Sequence, residues 1–162
     1  MIFKQNVLFL CTHNSARSQM AEGLLNHLHG GRYQAHSAGI EPGTLHPLAV
    51  KVMAEIGIDI STHSSKHVRE FYGREMDLVV TVCDHAREAC PFFTGAKENR
   101  HESFPDPAGV DGSDAEKLEA FRSVRNEIRD WVKKIFPEFE RGSSADIDLP
   151  GQSGPFLPQK KF

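Results

Sequence analysis

The first periodicity in the chain is a continuous apolar run, Val7-Leu8-Phe9-Leu10, which reads as a strand buried on both faces of a parallel sheet. A polar turn follows, and then a helical stretch from about Arg17 to His29 with Met20, Leu24, Leu25 and Leu28 on one face, stopped by Gly30-Gly31. Tyr33 to Ser37 is a shorter strand candidate, ended by Ala38-Gly39. Pro47 opens a second helix in which Leu48, Val52, Met53 and Ile56 can face a core, with Gly57 at its end. Ser61 to Tyr72 reads as a short helix with a polar entry. Asp77 to Val82 is the strongest strand, and a weaker one lies near Arg100 to Phe104. The last helix starts on a Ser113/Glu116 capping box. It carries Leu118, Phe121, Val124, Ile128, Val132 and Ile135 at spacings of three or four, and ends at Pro137.

Strands alternating with helices imply right-handed βαβ units, so the pattern predicts a small α/β domain over residues 1–137 around a parallel sheet of four strands. From 138 to 162 the composition shifts to Pro, Gly and Ser without a periodic apolar face, which predicts a flexible tail. A length of 162 residues suits one such domain. A net charge of −3 gives no reason to expect a nucleic-acid or membrane partner. The first apolar run is too short for a signal peptide or a span, so a cytoplasmic protein is expected. Three cysteines do not make a disulfide framework and leave catalytic, redox or buried thiols as the options. Nine histidines are scattered from His13 to His101, and the pair His27 and His29 lacks zinc-ligand spacing with any cysteine pair, so no metal and no cofactor are expected.

Candidate chemistry begins where the first strand ends, at Cys11-Thr12-His13-Asn14-Ser15-Ala16-Arg17-Ser18. A loop between a strand end and a helix start can turn successive backbone N–H groups inward and add the positive end of the helix. Arg17 offers a planar fork for a tetrahedral oxyanion, and Ser18 can donate to the Cys11 sulfur. In such a setting a thiol of pKa about 8.5 is expected to fall to roughly 6, which would make it about nine-tenths thiolate at neutral pH. The bland alternative, a buried cysteine beside a solvated arginine, is weakened by the location, since open α/β sheets bind ligands at the carboxyl ends of their strands. Asp106, framed by Pro105 and Pro107, is either an ordinary turn residue or the proton donor for a leaving oxygen.

A second constellation runs from Cys83 to Cys90. Cys83 ends the strongest strand and so opens onto the same sheet edge as Cys11. If the segment between the cysteines is helical, they stand about 10 Å apart along the axis, whereas a disulfide needs Cα atoms within about 7 Å. Either both are inert fillers, or the segment melts to let them join.

These stretches resemble the thioredoxin-coupled arsenate reductases, relatives of the low-molecular-weight protein tyrosine phosphatases. The matching segments are Cys11 to Gly23, Ser37-Ala38-Gly39, Gly57 to Ser61, Asp77 to Cys90, and Asp106-Pro107-Ala108, spread over roughly residues 5–136. The resemblance implies a flavodoxin-like three-layer fold with helices on both faces of the sheet. It also implies arsenate as substrate, a relay in which Cys11, Cys83 and Cys90 act in turn, Asp106 as acid, and thioredoxin as reductant. Ala16 stands where some relatives carry a fourth cysteine, and His13 where many carry glycine. Some relatives hold potassium with side chains corresponding to Asn14, Glu22, Ser37, Ser64 and an acidic residue at position 66; Lys66 here suggests an ammonium in place of that cation. The alternative within the same resemblance is a low-molecular-weight protein tyrosine phosphatase, which needs neither Cys83 nor Cys90.

Overall fold

The computed structural model describes residues 3–90 and 93–136. The proposed tail at 138–162 lies outside the described residues. Four parallel strands, β1 (Gln5–Cys11), β2 (Tyr33–Gly39), β3 (Leu78–Thr81) and β4 (Asn99–His101), lie in the order β2-β1-β3-β4. The helices are α1 (Arg17–His29), α2 (Pro47–Glu55), α3 (Asp84–Ala89) and α4 (Asp114–Ile135). From the centre of the sheet, β1→β2 steps one way and β3→β4 the other. Right-handed crossovers therefore put α1 and α3 on opposite faces, which gives the expected three layers.

Val7, Leu8, Phe9 and Leu10 are completely buried, as a central strand covered on both faces requires. Phe9 meets Trp131 and Phe136 edge-on, fastening α4 to the sheet. Burying a ring of that size is worth about 2–3 kcal/mol. Met20, Leu24 and Leu25 of α1 and Phe121, Val124, Ile128 and Val132 of α4 are buried as their spacing predicts. The Ser113/Glu116 capping box is formed in both directions. Arg125 breaks the apolar stripe of α4, and its guanidinium is satisfied by the Val52 carbonyl (2.8 Å) and Glu55 (3.0 Å) of α2.

The expected helix over Ser61 to Tyr72 is reduced to one 3-10 turn, Val68–Phe71. Tertiary contacts override the local pattern here. Gly39 N donates to Lys66 O, Gly39 pairs with His67 as an isolated bridge, and Ser65 and Lys66 both donate to Asn14. Those bonds require extended backbone up to His67. The weak strand expected at Arg100 to Phe104 lies slightly earlier, at Asn99–His101, although Glu102 and Phe104 still donate to the end of β3.

Candidate active site

β1 ends on Cys11, and residues 12–16 curl back before α1 begins at Arg17. The turn is built around Asn14, which is fully buried and takes the left-handed backbone conformation (φ 52°). Asparagine tolerates that region better than most residues. Its surroundings hold it there. Asn14 Nδ2 donates to Ser18 Oγ (2.8 Å) and Ser37 Oγ (2.9 Å), while Oδ1 accepts from Gln19 Nε2 (3.1 Å) and the Lys66 amide (2.9 Å). Its carbonyl accepts from Gln19 Nε2 and from Ser65 Oγ, and its own amide donates to Cys11 Sγ at 3.2 Å. β2 closes the back of the loop through Gly39, where a Cβ would stand 2.7 Å from Thr12 O and 2.9 Å from Asn14 N. No larger residue fits there.

The Cys11 sulfur is buried at the floor of this loop, 2.8 Å from Ser18 Oγ. The expected depression of its pKa does not hold. Burial pushes the thiol up, and the Ser18 hydroxyl and amide, the Arg17 charge and the Asn14 amide offset that only in part. Ala16 caps α1 without a side-chain hydrogen bond, and the amides of Ser15, Ala16 and Arg17 donate to no acceptor among the described residues. Unpaired amides at the start of a helix are the donor set that favours an anion. His13 is exposed, its ring turned out to the Glu41 carbonyl at 2.8 Å, so it stands at the mouth and not over the sulfur.

Arg17 is braced from the loop that follows β4. Its Nη1 donates to Phe104 O (3.2 Å), and Nη2 lies 3.8 Å from Asp106 Oδ2. Phe104 in turn packs edge-on against Trp131 of α4. Asp106 thus reaches the cradle; it also caps the short 3-10 turn Pro107–Gly109, accepting from Ala108 N at 3.0 Å. Asp106 is therefore a turn residue that also stands beside Arg17. His46 lies alongside: its amide donates to Ser15 O, and its Nδ1 accepts from Leu48 N at the start of α2. Burial lowers its pKa, against an opposing pull from the Asp106 charge, so the neutral ring carries its proton on Nε2.

Cys83 is buried on the same rim. Its sulfur lies 3.3 Å from Thr12 Oγ1 and accepts from Ala86 N, the first-turn amide of α3. Cys90 sits at the other end of α3, half-buried, and its thiol too is pushed up by burial. Six helical residues separate the two cysteines, a rise of about 10 Å across the intervening turns. That exceeds the reach of a disulfide, so α3 must unwind before they can join. All three cysteines are free thiols in this structure.

Potassium does not fit the residues that correspond to the cation ligands of some relatives. Asn14 Oδ1 already takes two donors, and Ser64 O accepts from Gln19 Nε2 and from the Lys66 ammonium at 2.9 Å. Ser37 Oγ is bonded to Glu22, and position 66 is itself a cation. Gln19, Ser65 and His46 were not singled out by the sequence pattern. A glutamine adjoining the apolar face of α1 was the one available signal, because a buried amide requires partners.

Comparison with known proteins places this geometry. The model of the low molecular weight phosphotyrosine protein phosphatase family matches residues 6–145. An arsenate reductase of Halalkalibacterium halodurans is 47% identical over 130 residues, covering 80% of this chain and 94% of that protein. The arsenate reductase of Bacillus subtilis is 43% identical over 129 residues, covering 80% and 93%. Among solved structures, an arsenate reductase in the oxidized state superposes with a TM-score of 0.69 at 32% identity, over 80% of this chain and 95% of that one. A low molecular weight protein tyrosine phosphatase from T. tengcongensis gives 0.66 at 28% identity, over 81% and 97%.

Proposed function

We propose that this chain, which belongs to the low molecular weight phosphotyrosine protein phosphatase family, is an arsenate reductase that works by passing oxidising equivalents from Cys11 to Cys83 to Cys90. The carrying observation is the 3.3 Å contact between Thr12 Oγ1 and Cys83 Sγ, which brings a second thiol to the wall of the cradle that contains the first. Hydrolysis of a phosphate ester has no use for that thiol, or for a third one at the far end of a six-residue helix.

Arsenate enters with its oxygens on the free amides of Ser15, Ala16 and Arg17 and on the Arg17 guanidinium. An arsenate dianion offers an acceptor for the Cys11 proton, which offsets the raised pKa of the buried thiol. The sulfur attacks arsenic, and one oxygen leaves as water with a proton from Asp106. Cys83 then attacks the Cys11 sulfur. The S–As electron pair passes to arsenic, reducing As(V) to As(III), and a Cys11–Cys83 disulfide remains. Cys90 attacks Cys83, and Cys11 departs as a thiolate. Restoring the Cys83–Cys90 disulfide to two thiols takes one external dithiol, for which thioredoxin in a reducing cytoplasm is the proposed source. None of the described helices is long and apolar enough to cross a membrane.

A phosphatase reading keeps the cradle, Arg17 and Asp106, but Ala108 and Gly109 follow Asp106-Pro107 where an aromatic grip on phosphotyrosine would be needed. Slow hydrolysis of small aryl phosphates is the expected residue of that ancestry. The deciding experiment is arsenate-dependent NADPH oxidation with thioredoxin and its reductase. The natural chain is expected to turn over continuously. Cys90→Ser is expected to complete one turnover and stop with Cys11–Cys83 trapped; undiminished turnover by that variant would refute the relay.

A further inference from the structure

The relay needs α3 intact when Cys83 meets the Cys11 adduct and unwound when Cys90 meets Cys83. What holds α3 in place is therefore part of the reaction. Of its own six residues only Ala86 is buried, so packing contributes little. Two histidine–carboxylate pairs reach its first turn. His85 Nε2 lies 3.9 Å from Glu41 Oε2 with both side chains more than half exposed, a spacing and exposure at which ion pairs contribute little. The other pair is better made. Asp84, the residue directly after Cys83, has its Oδ1 3.0 Å from His101 Nε2, and the His101 side chain is only 20% exposed. His101 Nδ1 lies 2.8 Å from Thr81 Oγ1, and these two residues are register partners at the ends of β3 and β4.

We propose that Thr81, His101 and Asp84 form a clamp that pins the first turn of α3 to the sheet, and that His101 is a positioning residue setting how readily Cys90 reaches Cys83. The inference rests on the relay proposed above. An ionised carboxylate only accepts, so Nε2 of His101 must be the donor to Asp84. In a neutral ring Nδ1 is then an acceptor, and the Thr81 hydroxyl donates to it. In a charged ring Nδ1 donates to Thr81 Oγ1, whose hydroxyl can turn to the Arg100 carbonyl at 3.4 Å. The threonine serves both states, so the bridge from β3 through β4 to α3 holds whichever form the ring takes. Thr81 precedes Cys83 by two residues and Asp84 follows it by one, so the clamp brackets the central sulfur of the relay.

The test uses the 162-residue chain with Cys11→Ser as parent, which leaves Cys83 and Cys90 as its two remaining cysteines. The protein is equilibrated in defined mixtures of reduced and oxidised dithiothreitol, and the Cys83–Cys90 disulfide is counted by mass spectrometry after alkylation. His101→Ala is expected to shift the equilibrium toward the disulfide by about five-fold, the size of one ordinary intramolecular hydrogen bond, and to speed its formation. His101→Gln, whose amide can donate to Asp84 and accept from Thr81, should restore most of the parent behaviour, and His85→Ala should match the parent. Asp84 is largely exposed, so Asp84→Ala folds even if the histidine variant does not. Combined with His101→Ala, it should add nothing beyond either single change. A parent that forms the disulfide while His101→Ala and Asp84→Ala leave its equilibrium unmoved overturns the clamp and spares the relay. A parent that forms no disulfide under any mixture overturns both.

Discussion

The loop from Cys11 to Ser18 and the segment from Cys83 to Cys90 open on the same sheet edge and are built on opposite principles. In the first, the pivotal residue Asn14 is fully buried and uses its amide, its carbonyl and both side-chain polar atoms. In the second, a helix shorter than two turns buries one alanine and is tied at its first turn by two side chains, Asp84 and His85, that are themselves largely exposed. Fixed donors stabilise developing charge because they need no reorganisation during the reaction. A disulfide relay needs the reverse, a segment that opens at low cost, and an isolated helix of this length has almost no stability of its own. Neighbouring strand ends let one small domain hold both, with Thr12 and Cys83 touching at the boundary.

The contrast predicts that the same kind of damage has unequal effects on the two sides. Arg17→Lys keeps the charge but loses the planar fork and its brace to Phe104 O. It should lower kcat/KM for arsenate by about 100-fold or more while thermal stability stays close to that of the parent. A loss below about three-fold in steady-state assays would mean the cradle is less preorganised than its bonding indicates. Asn14→Ala leaves Ser18, Ser37 and the Lys66 amide short of a partner and places alanine at a left-handed φ. Its expected cost is about 3 kcal/mol by urea denaturation, against about 0.5 kcal/mol or less for His85→Ala on α3. Equal losses at the two positions would erase the distinction between a fixed region and a releasable one.

The parts of this arrangement that were legible in the sequence are those set by short-range rules. The apolar run at Val7 to Leu10, the stripe on α4 and the Ser113 cap carry their own periodicity or cap chemistry, and the strand-to-helix position of Cys11 and Arg17 follows from them. The segment 61–72 misled because its helical pattern is local, whereas its backbone is recruited by Asn14 and Gly39 some 25 to 50 residues away. Ser65 has no pattern to betray it, since its role exists only once the turn at Asn14 has formed, and Gln19 shows only as a glutamine beside an apolar face. His101 was invisible for a similar reason: its meaning depends on the register that sets it beside Thr81. The thiol of Cys11 exposes a different gap. Sequence indicates which charges surround a sulfur, but not how completely water is excluded from it.

That gap predicts a small effect of definite sign. Burial raises the Cys11 pKa in the folded chain above its unfolded value of about 8.5. Below that value both states hold the proton and stability is unaffected by this group. Above it the unfolded chain loses the proton first, so it binds fewer protons than the folded chain and stability falls as pH rises toward the folded value. Cys90 is also raised, so Cys90→Ser serves as the common background. Between pH 7.5 and 9.5 the urea midpoint of that background should fall further than that of Cys11→Ser/Cys90→Ser. The size of that difference reports how far burial lifts the thiol. Alkylation of Cys11 by iodoacetamide without oxyanion should keep accelerating past pH 8.5. A plateau near pH 6 would instead mean that the cradle's donors overcome burial unaided, and that the fixed region is primed for attack before arsenate arrives.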